Sequence, residues 1–155
     1  HARAMEGDFL RREAAAALVA RHLHVPFAYE ALKEKLQASA TGVLSRYLVD
    51  NADALELIEY AEKPIEIDLG DGVTVVGRID LVRRKDTGKT SIVDFKSNER
   101  AQEEEVTELQ LHVYVLGHQA LTGETADFVE IYELEEGKQP LRGWNRASLG
   151  LRYSG

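Results

Sequence analysis

Asp80, Asp94 and Lys96 are the residues of this chain whose types and spacing could do chemistry. Asp80 belongs to the β-rich stretch Val73–Arg84 and the other two to Thr90–Lys96, with the turn-forming run Lys85-Asp86-Thr87-Gly88-Lys89 between them. Strand side chains alternate, so Ile92, Asp94 and Lys96 share one face and Ser91, Val93 and Phe95 the other. With the loop at 85–89, Asp80 falls directly opposite Asp94, and Arg78 opposite Lys96. Side chains so paired stand about 4.5–5.5 Å apart at Cβ. Two carboxylates at that spacing repel unless a cation bridges them or one is protonated. A hard divalent ion with oxygen ligands, Mg²⁺ or Mn²⁺, answers that need. It can activate water and stabilise charge on a phosphate oxygen, while Lys96 orients that water or neutralises developing charge. The chemistry is that of phosphodiester hydrolysis. The competing reading is a salt-bridge cluster on a solvated sheet face, and a one-residue slip of the hairpin would turn Asp80 away. Val76, Val82 and Ile92 make that face partly apolar, which favours a cleft. Gly77, three residues before Asp80, marks a bulge or a close approach.

These residues need elements to hold them. Residues 2–23 read as a helix, with apolar Phe9, Leu10, Ala14, Ala17 and Leu18 at helical spacing, ended by Val25-Pro26. Tyr29–Ala38, Thr41–Leu48 and Ala52–Tyr60 read as three further helices, the last capped by Asp50 or Asn51. From Pro64 the pattern changes. Ile65–Leu69 alternates, Gly70-Asp71-Gly72 is a hairpin turn, and two more strands follow. Arg100–Leu121 carries Val106, Leu109, Val113 and Leu116 at helical spacing, and Phe128–Leu134 is a last strand. Strand, helix, strand in that order predicts a crossover with parallel pairing. Residues 137–155 are either an edge strand or a segment docked elsewhere.

The 155 residues suffice for one domain with a core. The expected parts are a mainly helical portion at 1–61, strands and a helix at 62–135, and a C-terminal segment at 136–155. No run of about 18 apolar residues could cross a membrane. There are no cysteines, which excludes disulfides, cysteine zinc sites and iron–sulfur ligation, so no iron–sulfur cluster is expected. A reducing cytoplasm fits that composition. Nineteen basic against 27 acidic side chains give a net charge of −8, which argues against a free-standing nucleic-acid binder. The chain opens at His1 in what reads as mid-helix, so it is read as a piece of a longer protein.

Gly77-Arg78-Ile79-Asp80 followed by Asp94-Phe95-Lys96, with Gln110-Leu111-His112-Val113-Tyr114 downstream, resembles the RecB-like branch of the PD-(D/E)XK nuclease superfamily. Glu62-Lys63-Pro64-Ile65-Glu66-Ile67 resembles the strand that precedes the Gly-x-x-Asp element there. The resemblance covers about residues 60–134. It implies a mixed α/β, restriction-endonuclease-like αβββαβ core and a metal-dependent deoxyribonuclease, an exonuclease serving as the C-terminal module of a helicase–nuclease in DNA repair. It implies Asp80, Asp94 and the Phe95 carbonyl as ligands of Mg²⁺ or Mn²⁺, and Lys96 as the catalytic lysine. Gln110 and Tyr114, four apart on one helix face, would touch DNA or support Lys96; core packing is the other reading of Tyr114. His1-Ala2-Arg3-Ala4-Met5-Glu6 resembles the helix that supplies a histidine ligand, although His1 could equally be left from a purification tag. A helicase domain in the same or a partner chain would supply the basic DNA path that an acidic module lacks. Arg83 and Arg84 are candidate phosphate contacts at the hairpin tip. A nuclease-like module that binds DNA without cutting it is the alternative.

Overall fold

The computed structural model describes residues 1–85, 87–96, 104–134 and 142–145, with backbone alone at 104, 105 and 142–145. Three helices come first: α1 (Ala2–Met5), α2 (Ala15–His22) and α3 (Glu30–Asp50). Strands β1 (Ile58–Gly70), β2 (Val73–Arg84) and β3 (Thr90–Lys96) follow by hairpins. Helix α4 (Glu104–Thr122) then leads to β4 (Phe128–Glu133) and β5 (Arg142–Asn145). The sheet runs β1-β2-β3-β4-β5. Only β3 and β4 are parallel; the other neighbours are antiparallel. This is a mixed α/β fold with the αβββαβ order that the sequence predicts, and β3, which carries Asp94 and Lys96, lies at its centre.

Each face of the sheet has its own apolar core. On one face α4 brings Leu111, Tyr114 and Val115 against Ile65, Ile79, Val82, Ile92, Val129 and Ile131. Close approach of α4 depends on Gly117, since a Cβ there would lie 2.9 Å from Ile65 Cβ. On the opposite face Ala15, Tyr47, Leu48 and Leu55 pack with Phe95 and Tyr132. That face also holds an ion cluster. Arg83 donates to Glu130 at 2.8 Å and to Asn51 Oδ1 at 3.1 Å, and Lys85 pairs with the same Glu130. Glu130 is 3% exposed. Burial pushes its carboxyl up, but the hydrogen bonds from Lys85 and Arg83 outweigh burial and hold it below the usual glutamate range.

Three helical expectations need correction. The helix read over 2–23 is interrupted: Gly7 adopts φ 81°, Arg3 Nε donates to Asp8 at 2.6 Å, and helix resumes only at a 3-10 turn, Arg12–Ala14. The helices at 29–38 and 41–48 are one, α3. Its interior Gly42 costs about 1 kcal/mol against Ala, offset by burial of Leu44, Tyr47 and Leu48 on the Ala15 side. Ala52–Tyr60 is no helix. A short 3-10 segment at Asp53–Leu57 gives way to β1 at Ile58, because Tyr60 and Ala61 pair with Val82 and Leu81. The start of the helix expected from Arg100 and most of the segment from 137 lie outside the described residues. Arg142–Asn145 of that segment forms an edge strand on β4.

Candidate active site

The site forms where two neighbouring strands part. The pairs Leu81↔Val93, Val82↔Ile92, Arg83↔Ser91 and Arg84↔Thr90 realise the hairpin register expected from a loop at 85–89. The ladder stops at Leu81, one residue short of Asp80. At that point β2 also changes face. Ile79 and Val82 both enter the core beneath α4, although residues three apart on a regular strand face opposite ways. β1 switches as well: Tyr60 and Ile65 face the same core, and between them Glu62 takes a left-handed φ of 53°. The local twist turns the Asp80 carboxylate into the gap, where Oδ2 accepts the Phe95 amide proton at 2.9 Å. The Phe95 carbonyl shares that edge of β3 with its N–H, while Lys96 O turns the other way to accept Leu134 N at 3.0 Å. Asp80 and the Phe95 carbonyl thus border one notch.

Asp94 and Lys96 stand beside it on the α4 face. Asp94 is 2% exposed. Its Oδ2 lies 3.0 Å from Lys96 Nζ, but no well-directed hydrogen bond reaches that oxygen. Burial pushes the Asp94 carboxyl above the usual range; Lys96 pulls it back, and the Asp80 charge adds to the rise. Lys96 Nζ donates to Gln110 Oε1 at 2.7 Å, and Gln110 Nε2 donates to the Tyr114 hydroxyl at 2.6 Å. Burial pushes the Tyr114 hydroxyl up, so it remains a donor at neutral pH. The four side chains form one chain, from the Asp94–Lys96 ion pair through Gln110 to the Tyr114 hydroxyl. It fixes the amide of Gln110 in one orientation, with its oxygen toward the ammonium and its nitrogen toward the phenol.

The donor set suits a hard divalent ion. Asp94 Oδ2 is a buried oxygen with an unsatisfied lone pair, and Asp80 and the Phe95 carbonyl face the adjoining notch. Among the described residues no three His, Cys, Asp or Glu side chains gather at one point. Two carboxylates and a main-chain oxygen remain, which is how Mg²⁺ is commonly held, with water and substrate phosphate filling its other positions.

The remaining sequence candidates fall elsewhere. The His1 ring stacks on Phe95, with centroids 5.2 Å apart, and its Nε2 lies 2.7 Å from the Tyr47 hydroxyl. Burial pushes that hydroxyl up to about 12. Phe95 points its ring away from Asp94 and Lys96, so the structure does not bring the His1 ring in among the carboxylates. Arg83 is turned inward onto Glu130, and Arg84 Nε donates to Glu59 at 2.6 Å. Carboxylates from β4 and β1 thus pair with both of these candidate phosphate contacts. His118, set aside from the sequence, is 1% exposed and holds the α4–β4 turn through Nδ1 and the Glu124 carbonyl at 3.0 Å. Sequence reasoning missed Glu130, whose only signal was an acid flanked by Val129 and Ile131 in a largely apolar strand. A cavity of about 830 Å³ lies away from the acids, between α1, α2 and α3. It is apolar and contains neither Asp80 nor Asp94, so the chemistry is placed at the notch.

The fold and this residue set are those of a nuclease. Residues 2–142 match the profile of the PD-(D/E)XK nuclease superfamily, and the chain belongs to that superfamily. No curated protein matches the chain. Among the described residues no helix is long and apolar enough to cross a membrane.

Proposed function

We propose that this chain is a divalent-metal-dependent deoxyribonuclease of the RecB-like branch, acting as an exonuclease module beside a helicase domain in DNA repair or recombination. The observation that carries this reading is the chain Asp94–Lys96–Gln110–Tyr114 set against the Asp80 notch. Mg²⁺ or Mn²⁺ held by Asp80, Asp94 and the Phe95 carbonyl would lower the pKa of a bound water and offset charge on a phosphate oxygen. The protein's own contribution is positional. Phe95 N–H fixes the Asp80 carboxylate. Gln110 holds Lys96 Nζ over the Asp94 oxygen, where the ammonium can orient a water and meet negative charge building on the phosphate. Tyr114 keeps Gln110 from rotating. The helicase context is supported by charge: a chain at −8 needs a basic neighbour to draw in DNA.

The test is cleavage of end-labelled linear and of circular DNA with Mg²⁺ or Mn²⁺, against EDTA and Lys96→Ala. Loss of linear DNA with intact circles is the expected result. Cleaved circles would replace exonuclease by endonuclease action. Intact DNA throughout, in a folded chain that also fails to bind Mn²⁺ by calorimetry, would overturn the metal-nuclease reading. Mn²⁺ and DNA binding without cleavage would favour a silent DNA-binding module.

A further inference from the structure

The loop between α2 and α3 leaves two aromatic rings in solvent. Phe27 is 99% exposed and Tyr29 is 71% exposed, on either side of half-buried Ala28. Burying a phenylalanine is worth about 1.5–3 kcal/mol, so a fold with a cavity open nearby has left that gain untaken. Among the described residues neither ring stacks on another. The stretch leading to the rings is free of acids, and exposed Glu30 follows it directly. No carboxylate occurs between Glu13 and Glu30, while Arg21, His22 and His24 lie just ahead of the rings and are all exposed. In a chain at −8 this is a local exception, and it complements phosphate. The loop adjoins the cavity on the Phe95-ring face of the sheet. The 830 Å³ cavity is lined both by Phe95, whose backbone borders the notch, and by His22 and Leu23, which lead into the loop.

We propose that Phe27 and Tyr29 form a stacking platform for unpaired bases of a single-stranded nucleic acid, with Arg21 and the two histidines beside its phosphates. Exposed aromatic faces among basic groups bind strands without regard to sequence, since every base has a π-face. Duplex DNA keeps its bases stacked inside and offers the rings nothing. The platform therefore selects single strands, or the frayed ends of duplexes, for the notch. This deepens the nuclease reading above and rests on its nucleic-acid substrate.

The experiment measures binding without metal, so cleavage plays no part. A fluorescein-labelled oligothymidylate of about twenty nucleotides, the matching duplex and an abasic strand of equal length are titrated with the whole chain in EDTA, by anisotropy. For Phe27→Ala with Tyr29→Ala, both fully surface changes, oligothymidylate affinity should fall roughly tenfold or more. Duplex affinity should change less than about twofold, and wild-type protein should hold the abasic strand only as well as the double variant holds oligothymidylate. Unchanged oligothymidylate binding, or an equal loss on the abasic strand, overturns the platform. So does a chain that sediments as a dimer while the double variant is a monomer with full DNA affinity, because the rings then serve self-association. A platform that fails while metal-dependent cleavage persists leaves the nuclease reading standing.

Discussion

Asp80 Oδ2 accepts the backbone proton of Phe95 at 2.9 Å, at the point where the β2–β3 ladder ends. A side chain thus replaces the next ladder bond. Two adjacent strands can separate without orphaning the amide, and the opening they leave is bordered by a carboxylate and a carbonyl. Asp80→Ala should remove both metal affinity and this substitute bond. We expect loss of Mn²⁺ binding by calorimetry and destabilisation of about 1–3 kcal/mol from the unpaired amide. Asp80→Asn, whose side-chain oxygen can still accept, should lose metal affinity with little loss of stability.

Asp94 should trade stability for activity. Its carboxyl is raised above the usual range, chiefly by burial. For an acid so shifted, the folded state binds the proton more tightly than the unfolded one. The stability cost is absent below the unfolded value and present above the folded one, hence at neutral pH. Asp94→Asn should abolish cleavage and raise the melting temperature in EDTA. Adding Mn²⁺ should raise the melting temperature of the wild type and leave the variant unmoved.

Gln110 and Tyr114 should separate by degree. Gln110→Ala frees Lys96 Nζ from its 2.7 Å acceptor. We expect cleavage rates to fall about 10²-fold, on the scale of losing a preorganised electrostatic contact. Tyr114→Phe keeps the ring in the core and removes only the hydroxyl that steadies Gln110. A loss of about fivefold to tenfold in rate, near 1 kcal/mol, is expected from single-turnover measurements.

Acid should attack the other face of the sheet. Glu130 has its carboxyl held low by Lys85 and Arg83 against the opposing effect of burial. A depressed carboxyl contributes stability above its unfolded value, near 4.3, and loses it as pH falls through the folded value. Denaturant melts should show that acid loss in the wild type and less of it in Glu130→Gln. Glu130→Ala at neutral pH should cost about 3–5 kcal/mol, because it strands the largely buried Arg83.

Gly117 should be intolerant for a steric reason. A methyl there meets the Ile65 side chain across the α4–β1 contact. Gly117→Ala should cost about 1–3 kcal/mol by overpacking. Pairing it with Ile65→Val should recover part of that loss, which a double-mutant cycle in urea would read as coupling.

Strand bounds were the most readable part of the chain. β2 and β3 occupy Val73–Arg84 and Thr90–Lys96 as the alternation predicts, because β3 and the end of β2 are buried in the sheet and the turn between them is written in Gly and Lys. The register was legible for the same reason. The face switch at Asp80 was not: alternation assumes a regular strand, and the switch falls opposite the left-handed Glu62 on the neighbouring strand. Ala52–Tyr60 misled because its apolar spacing suits a helix, while pairing with β2 decided the outcome. Gln110 and Tyr114 were found through resemblance, and only the structure joins them to Lys96 in one hydrogen-bonded chain. The ion pairs of Arg83 and Arg84 were not legible, because their carboxylate partners lie far away in sequence, on β4 and β1.

The position of β3 bears on when this chain could acquire activity. Asp80 and Asp94 meet through a local hairpin, which closes early and at little entropic cost. Gln110 and Tyr114 arrive only after α4 has crossed the sheet and β4 has zipped alongside β3. A nascent chain therefore holds its acids together well before its lysine is aimed. Under the nuclease reading proposed above, a chain whose α4 has not yet docked should not cut, a safeguard for a cell that makes it beside its own chromosome.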